Sequence, residues 1–132
     1  MAAVAKSGTP SLSTRVPGPE HSIIGLVAGE DIAACDACYI AAGGTVFRST
    51  GAAATPPADV VGFAPVAASS GEAVSLYFGV NFRYGTALTP GTKLYLSGAV
   101  AGGLDTVASV GGTSWVGRVI DATRVHVRAS TY

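Results

Sequence analysis

From Ser22 onward, apolar and polar residues alternate in short runs broken by Gly, Pro and Ser, which is the pattern of half-buried strands rather than helices. The runs predict strands at Ile23–Ala28, Ala37–Ala41, Thr45–Ser49, Val60–Val66, Ala73–Tyr84, Lys93–Ser97, Ser114–Ile120 and Arg124–Arg128. In the longest of them, Leu76, Phe78, Val80, Phe82 and Tyr84 share one face, which is assigned to the core. Ser75, Tyr77, Gly79, Asn81 and Arg83 share the other. Gly79 marks a bulge or bend, as a strand of this length in a small barrel would need. Thr89-Pro90-Gly91-Thr92 carries Pro second and Gly third, the preference of a type II turn. Residues 52–58 are alanine-rich, but Pro56 and Pro57 make the segment a loop. The expected fold is all-β: a small barrel or sandwich of about eight short strands.

The second half of the chain faintly repeats the first. G-E-D-I-A-A-C-D-A-C-Y (29–39) and G-T-A-L-T-P-G-T-K-L-Y (85–95) match at Gly, Ile/Leu and Tyr, 56 residues apart. Val61-Gly62 is echoed by Val116-Gly117, 55 residues on, and a β-forming run follows each. Two similar β units in one small domain are therefore expected.

Residues 1–21 have no hydrophobic period, and Pro10, Pro17 and Pro19 block a helix. They read as an extended N-terminal arm on a domain spanning 22–132. Fully extended, such an arm reaches about 65 Å, enough to cross a neighbouring subunit. The alternative is that it folds back over its own domain.

Composition narrows the partners. The chain has 132 residues, 48% of them hydrophobic and 12% charged, with eight Lys/Arg balancing eight Asp/Glu. That charged share is about half the usual one. Weak like-charge repulsion between copies favours association, so a homo-oligomer is expected. A neutral chain lacks the charge of a nucleic-acid binder, so no nucleic-acid partner is expected. Met1–Pro10 has no sustained apolar core like that of a signal peptide, and no apolar run approaches membrane-spanning length, so no membrane partner is expected.

Searches for chemistry end without a site. Cys35-Asp36-Ala37-Cys38 is a lone C-x-x-C, and the two histidines, His21 and His126, lie at opposite ends of the chain. That is not a zinc pattern. The pair runs into Tyr39-Ile40 rather than opening a helix, so a redox motif is not supported. On an extended backbone the two cysteines are too far apart for a disulfide, and they read as small core fillers. Gly85–Leu94 lacks the Gly-Lys-Ser/Thr of a phosphate loop, and no nucleophile elbow is present. No catalytic residue, metal ligand or cofactor is expected. One polar feature stands out: Arg124, His126 and Arg128 alternate with Val125 and Val127, so three groups capable of positive charge share one strand face. Either this is a solvated face or it is a docking stripe for an acidic partner, with Lys6 and Arg15 of the arm assisting. Trp115, the only tryptophan, is either core or an interface anchor.

The phrases D-V-V-G-F-A (59–64), G-E-A-V-S-L-Y (71–77), L-T-P-G-T-K-L-Y-L-S (88–97) and G-G-L-D-T (102–106) give the chain a resemblance to the small β-rich head decoration proteins of tailed bacteriophages. It covers roughly residues 23–128 and consists of turn-and-strand phrases, not a catalytic signature. The resemblance implies a structural, non-enzymatic virion protein, made in the host cytoplasm. It would bind the outside of an assembled capsid, often as a trimer, and cement neighbouring major capsid subunits. A receptor- or glycan-binding module of a fibre or tail, using Tyr39, Tyr77 or Tyr95 as a platform, is the alternative.

Overall fold

The computed structural model describes residues 3–6, 10–13, 21–51, 59–109, 111 and 115–129. Among these it is all-β, with twelve short strands. Five of them, β3 (Ser22–Ala28), β4 (Ala37–Ile40), β5 (Thr45–Arg48), β6 (Gly62–Phe63) and β7 (Ala73–Tyr77), close into a barrel in the order β3-β5-β4-β6-β7. The other seven form one sheet. They are β1 (Ala3–Val4), β2 (Ser11–Leu12), β8 (Val80–Arg83), β9 (Lys93–Leu96), β10 (Leu104–Asp105), β11 (Trp115–Val119) and β12 (Arg124–Val127), in the order β1-β10-β9-β11-β12-β8-β2.

The faint sequence repeat is a repeat of topology. Pairing each barrel strand with its counterpart in the second half (β3 with β8, β4 with β9, β5 with β10, β6 with β11, β7 with β12) gives the same neighbour order in both units. The units differ at one seam. In the barrel, β3 and β5 pair in parallel through Val27–Thr45 and Ala28–Val46, which closes the ring. The corresponding β8–β10 contact is not made. Instead the N-terminal segment occupies the seam: β1 pairs with β10 through Ala3–Asp105 and Val4–Leu104, and β2 pairs with β8 through Ser11–Arg83 and Leu12–Phe82.

The described pieces of the arm therefore lie on their own chain. Val4 and Leu12 pack against the core, and Lys6 donates to the Ala34 carbonyl (2.9 Å) and pairs with the Asp36 carboxylate. Capping both edges this way also removes two rows of unpaired backbone groups.

Two cores result. Ala28, Ile32, Cys38, Val46, Val74 and Leu76 help fill the barrel. The outer wall of the barrel contributes Ala37, Val60 and Phe63 to the second core, where they meet Val80, Phe82, Leu94, Val125 and Val127 from the inner face of the sheet. Phe63 and Phe82 touch across this boundary with ring centroids 6.2 Å apart. The sheet is thus covered by the barrel on one side and bare on the other.

Strand boundaries differ from the sequence pattern in three places. The predicted strand over 73–84 is two strands in different sheets, broken at Phe78-Gly79, where Gly79 takes a left-handed φ of +68°. Val74 and Leu76 enter the barrel core, whereas Val80, Phe82 and Tyr84 enter the core beneath the sheet. The predicted run 60–66 keeps ladder pairing only at Gly62–Phe63. Its flanks bond to β4 and to the residue before it, Val61 N–H to Cys38 O (2.8 Å) and Ala64 N–H to Asp36 O (3.0 Å). The strands at 3–4, 11–12 and 104–105 are additional. The turn at 89–92 is as expected, with Gly91 at φ +86° and Thr92 N–H reaching Thr89 O at 3.4 Å. The loop at 52–58 lies outside the described residues.

Candidate docking surface

The uncovered face of the sheet is built by the period-two alternation of four neighbouring strands. On β8, Val80 and Phe82 point inward, leaving Asn81 and Arg83 outside; on β12, Val125 and Val127 point inward, leaving Arg124 and His126 outside. Register then sets the rows. Arg124 lies opposite Arg83, and His126 lies between Asn81 on one side and Arg118 on the other. Arg118 in turn faces Lys93 of β9. A register shift between Trp115 and Gly117 turns Trp115 outward opposite Tyr95. With four strands at about 4.8 Å spacing, the face is about 15 Å wide.

This placement polarises a neutral chain. Arg83, Lys93, Arg118, Arg124 and Arg128 are five of its eight Lys and Arg residues. Five of the eight acids, Glu30, Asp31, Asp36, Asp59 and Glu72, fall between residues 22 and 77, where Arg48 is the single cation. On the face itself, Asp121 pairs with Arg124 (2.9 Å). Among the described residues, Arg83, Lys93 and Arg118 make no ion pair.

Three positions are held in shape. Both the Arg128 and Arg118 guanidinium groups lie over the Trp115 ring, 3.7 and 5.3 Å from its centroid, and Arg128 Nε donates to the Trp115 carbonyl (3.1 Å). Stacking of this kind keeps a guanidinium oriented. Asp121 accepts from Thr123 N–H, Arg124 Nε and Arg124 N–H, which stiffens the β11–β12 turn. These bonds, that from the Thr123 amide foremost, hold its carboxyl down at about 2.

The two histidines lie far apart in sequence, and the field of His21 reaches His126. His21 precedes β3, and its Nδ1 lies 3.2 Å from the Phe78 carbonyl. It rests directly on Gly79, where a Cβ would come within 2.6 Å of Nδ1. His126 Nδ1 lies 2.7 Å from Asn81 Oδ1. Desolvation, followed by the field of His21, lowers the pKa of His126 from its ordinary value. Sequence reasoning found Arg124, His126, Arg128 and Trp115 but missed His21, Arg83, Lys93 and Arg118, whose membership depends on cross-strand register. Lys6 is not on this face: it binds the Ala34 carbonyl and Asp36 at the seam. Arg15 lies outside the described residues.

The cysteines take different cores, Cys35 beneath the sheet and Cys38 inside the barrel, and both are free thiols. Burial pushes Cys35 up to about 12 and Cys38 higher still. Among the described residues no cluster of three or more His, Cys, Asp or Glu side chains could hold a metal ion. No family model, no curated protein and no solved structure matches this chain.

Proposed function

We propose that this chain is a structural virion protein that binds the outer surface of an assembled phage capsid and stabilises it by bridging major capsid subunits. The observation that carries the reading is the bare cationic and aromatic face, mounted on a sheet whose other side is buried against the barrel. Such a face is rigid before binding, so little ordering entropy opposes docking. Repeated over a symmetric shell, modest contacts of this kind add up to high avidity. The turn-and-strand resemblance to head decoration proteins points the same way, and self-association, a trimer included, belongs to this reading. The glycan-binding alternative is less well supported. Of the three tyrosines it would use, Tyr39 already stacks on Phe47.

Co-sedimentation with expanded shells lacking the protein tests the proposal. Saturable binding that raises the melting temperature of the shell is expected, and the Arg118→Glu, Arg124→Glu double variant should lose it. Absence of saturable binding by the folded wild-type protein would overturn the function.

A further inference from the structure

We propose that the face recognises a carboxylate-rich protein surface and grips it more tightly as pH falls, with His126 as the acid-responsive group. This rests on the docking role of the face proposed above. The partner chemistry follows from what each group can still offer. A nucleobase would need an open aromatic ring, but both guanidinium groups already lie over Trp115. Fixed guanidinium forks and a lysine, in contrast, suit carboxylates presented by folded protein.

The pH response follows from the tautomers. The Phe78 carbonyl can only accept, so His21 carries its proton on Nδ1, and the Asn81 carbonyl oxygen fixes His126 in the same way. Each Nε2 is then the site that takes the second proton. Charging either ring breaks neither hydrogen bond, so the switch adds charge without rearranging the face.

Among the described residues, the surroundings of His126 are cationic or neutral. His126 faces Asn81 from β8 and Arg118 from β11, with Arg124 on its own strand and Arg128 just beyond its end. His21 faces the Phe78 carbonyl and Gly79 at the β7–β8 crossover. Asp121 is committed to Arg124 and its own turn. In the free protein partial burial, followed by the field of His21, opposes protonation of His126. An apposed acidic surface reverses that balance, and by linkage whatever raises the His126 pKa on binding must strengthen binding at low pH.

The test uses the full chain with two probes, immobilised poly-L-glutamate and a single-stranded oligothymidylate, between pH 8 and pH 6. Binding to poly-L-glutamate should tighten about tenfold across that range and weaken with salt. The His126→Gln variant should bind independently of pH. Should that variant fold poorly, histidine NMR titration of the wild type gives the same answer, because the His126 pKa must rise when poly-L-glutamate is bound. Absence of poly-L-glutamate binding, pH-independent binding by the wild type, or equal or tighter binding of the oligonucleotide would each overturn the inference. Shells that bind while poly-L-glutamate does not would sink this inference and leave the capsid reading standing; the opposite result would do the reverse.

Discussion

Replacing Lys6 with Met should destabilise the whole domain by about 2–3 kcal/mol, although Lys6 lies in a segment with almost no hydrophobic pattern. The side chain of Asp36 is 5% exposed and that of Lys6 is 23% exposed. One Asp36 oxygen accepts from the Ala33 amide (2.8 Å), and the other has Lys6 as its counterion. Gly102 closes over the same carboxylate so tightly that a Cβ there would sit 2.7 Å from Cγ, which leaves little room for water to replace the ammonium. Stripping one partner from a fully buried pair costs about 3–5 kcal/mol, and the partial exposure of Lys6 trims that figure. Urea denaturation at pH 7 measures it, and a melting temperature lower by about 10 °C should accompany it. The Lys6→Met, Asp36→Asn double variant should recover part of the loss, giving a coupling energy of about 1–2 kcal/mol. A loss below about 0.5 kcal/mol, or strict additivity in the cycle, would refute the claim that this pair fastens the seam.

Three further outcomes are expected. Gly79→Ala should cost about 1–2 kcal/mol from the left-handed φ alone, and should also displace His21, seen as a change in the chemical shifts of the His21 ring. Asp121 titrates at about 2 in the folded protein, below the ordinary range of an aspartate. Its contribution is therefore present above pH 4 and lost as pH falls towards 2, so carboxyl NMR and exchange of the Thr123 and Arg124 amides should show the β11–β12 turn intact at pH 4 and fraying near pH 2. Cys35 and Cys38 should resist iodoacetamide at pH 8 in the native state and react in urea, as read by mass spectrometry; rapid native labelling of either would contradict their burial.

The strands of the barrel and the central sheet were legible because each is long enough to show alternation and is bounded by Gly, Pro or Ser. A bend at Gly79 was legible, but its division of the run between two sheets was not. Val74, Leu76, Val80 and Phe82 keep the same inward phase on both sides of it, and periodicity does not tell which core a side chain enters. Ala3–Val4, Ser11–Leu12 and Leu104–Asp105 are too short to carry a period at all. Part of the docking face could be read locally, since Arg124, His126 and Arg128 alternate on one strand. Arg83, Lys93 and Arg118 join them only through pairings fixed by long-range register, and His21 joins through the crossover between units. Net charge misled in a similar way, because a sum of zero conceals cations and acids sorted into separate halves.

Filling the seam with the N-terminus also dictates the order in which the molecule can assemble. Residues 22–77 hold every barrel strand and can close on themselves as soon as they are made. The partners of the arm come much later: Ser11 waits for Arg83, and Ala3 waits for Asp105. Residues synthesised before the barrel are thus among the last to find their place, and until then β8 and β10 present bare edges that can pair with other chains. Whatever delays the N-terminus, such as a bulky fusion, prolongs that exposed interval, so the final step of folding is also the one most open to misassembly.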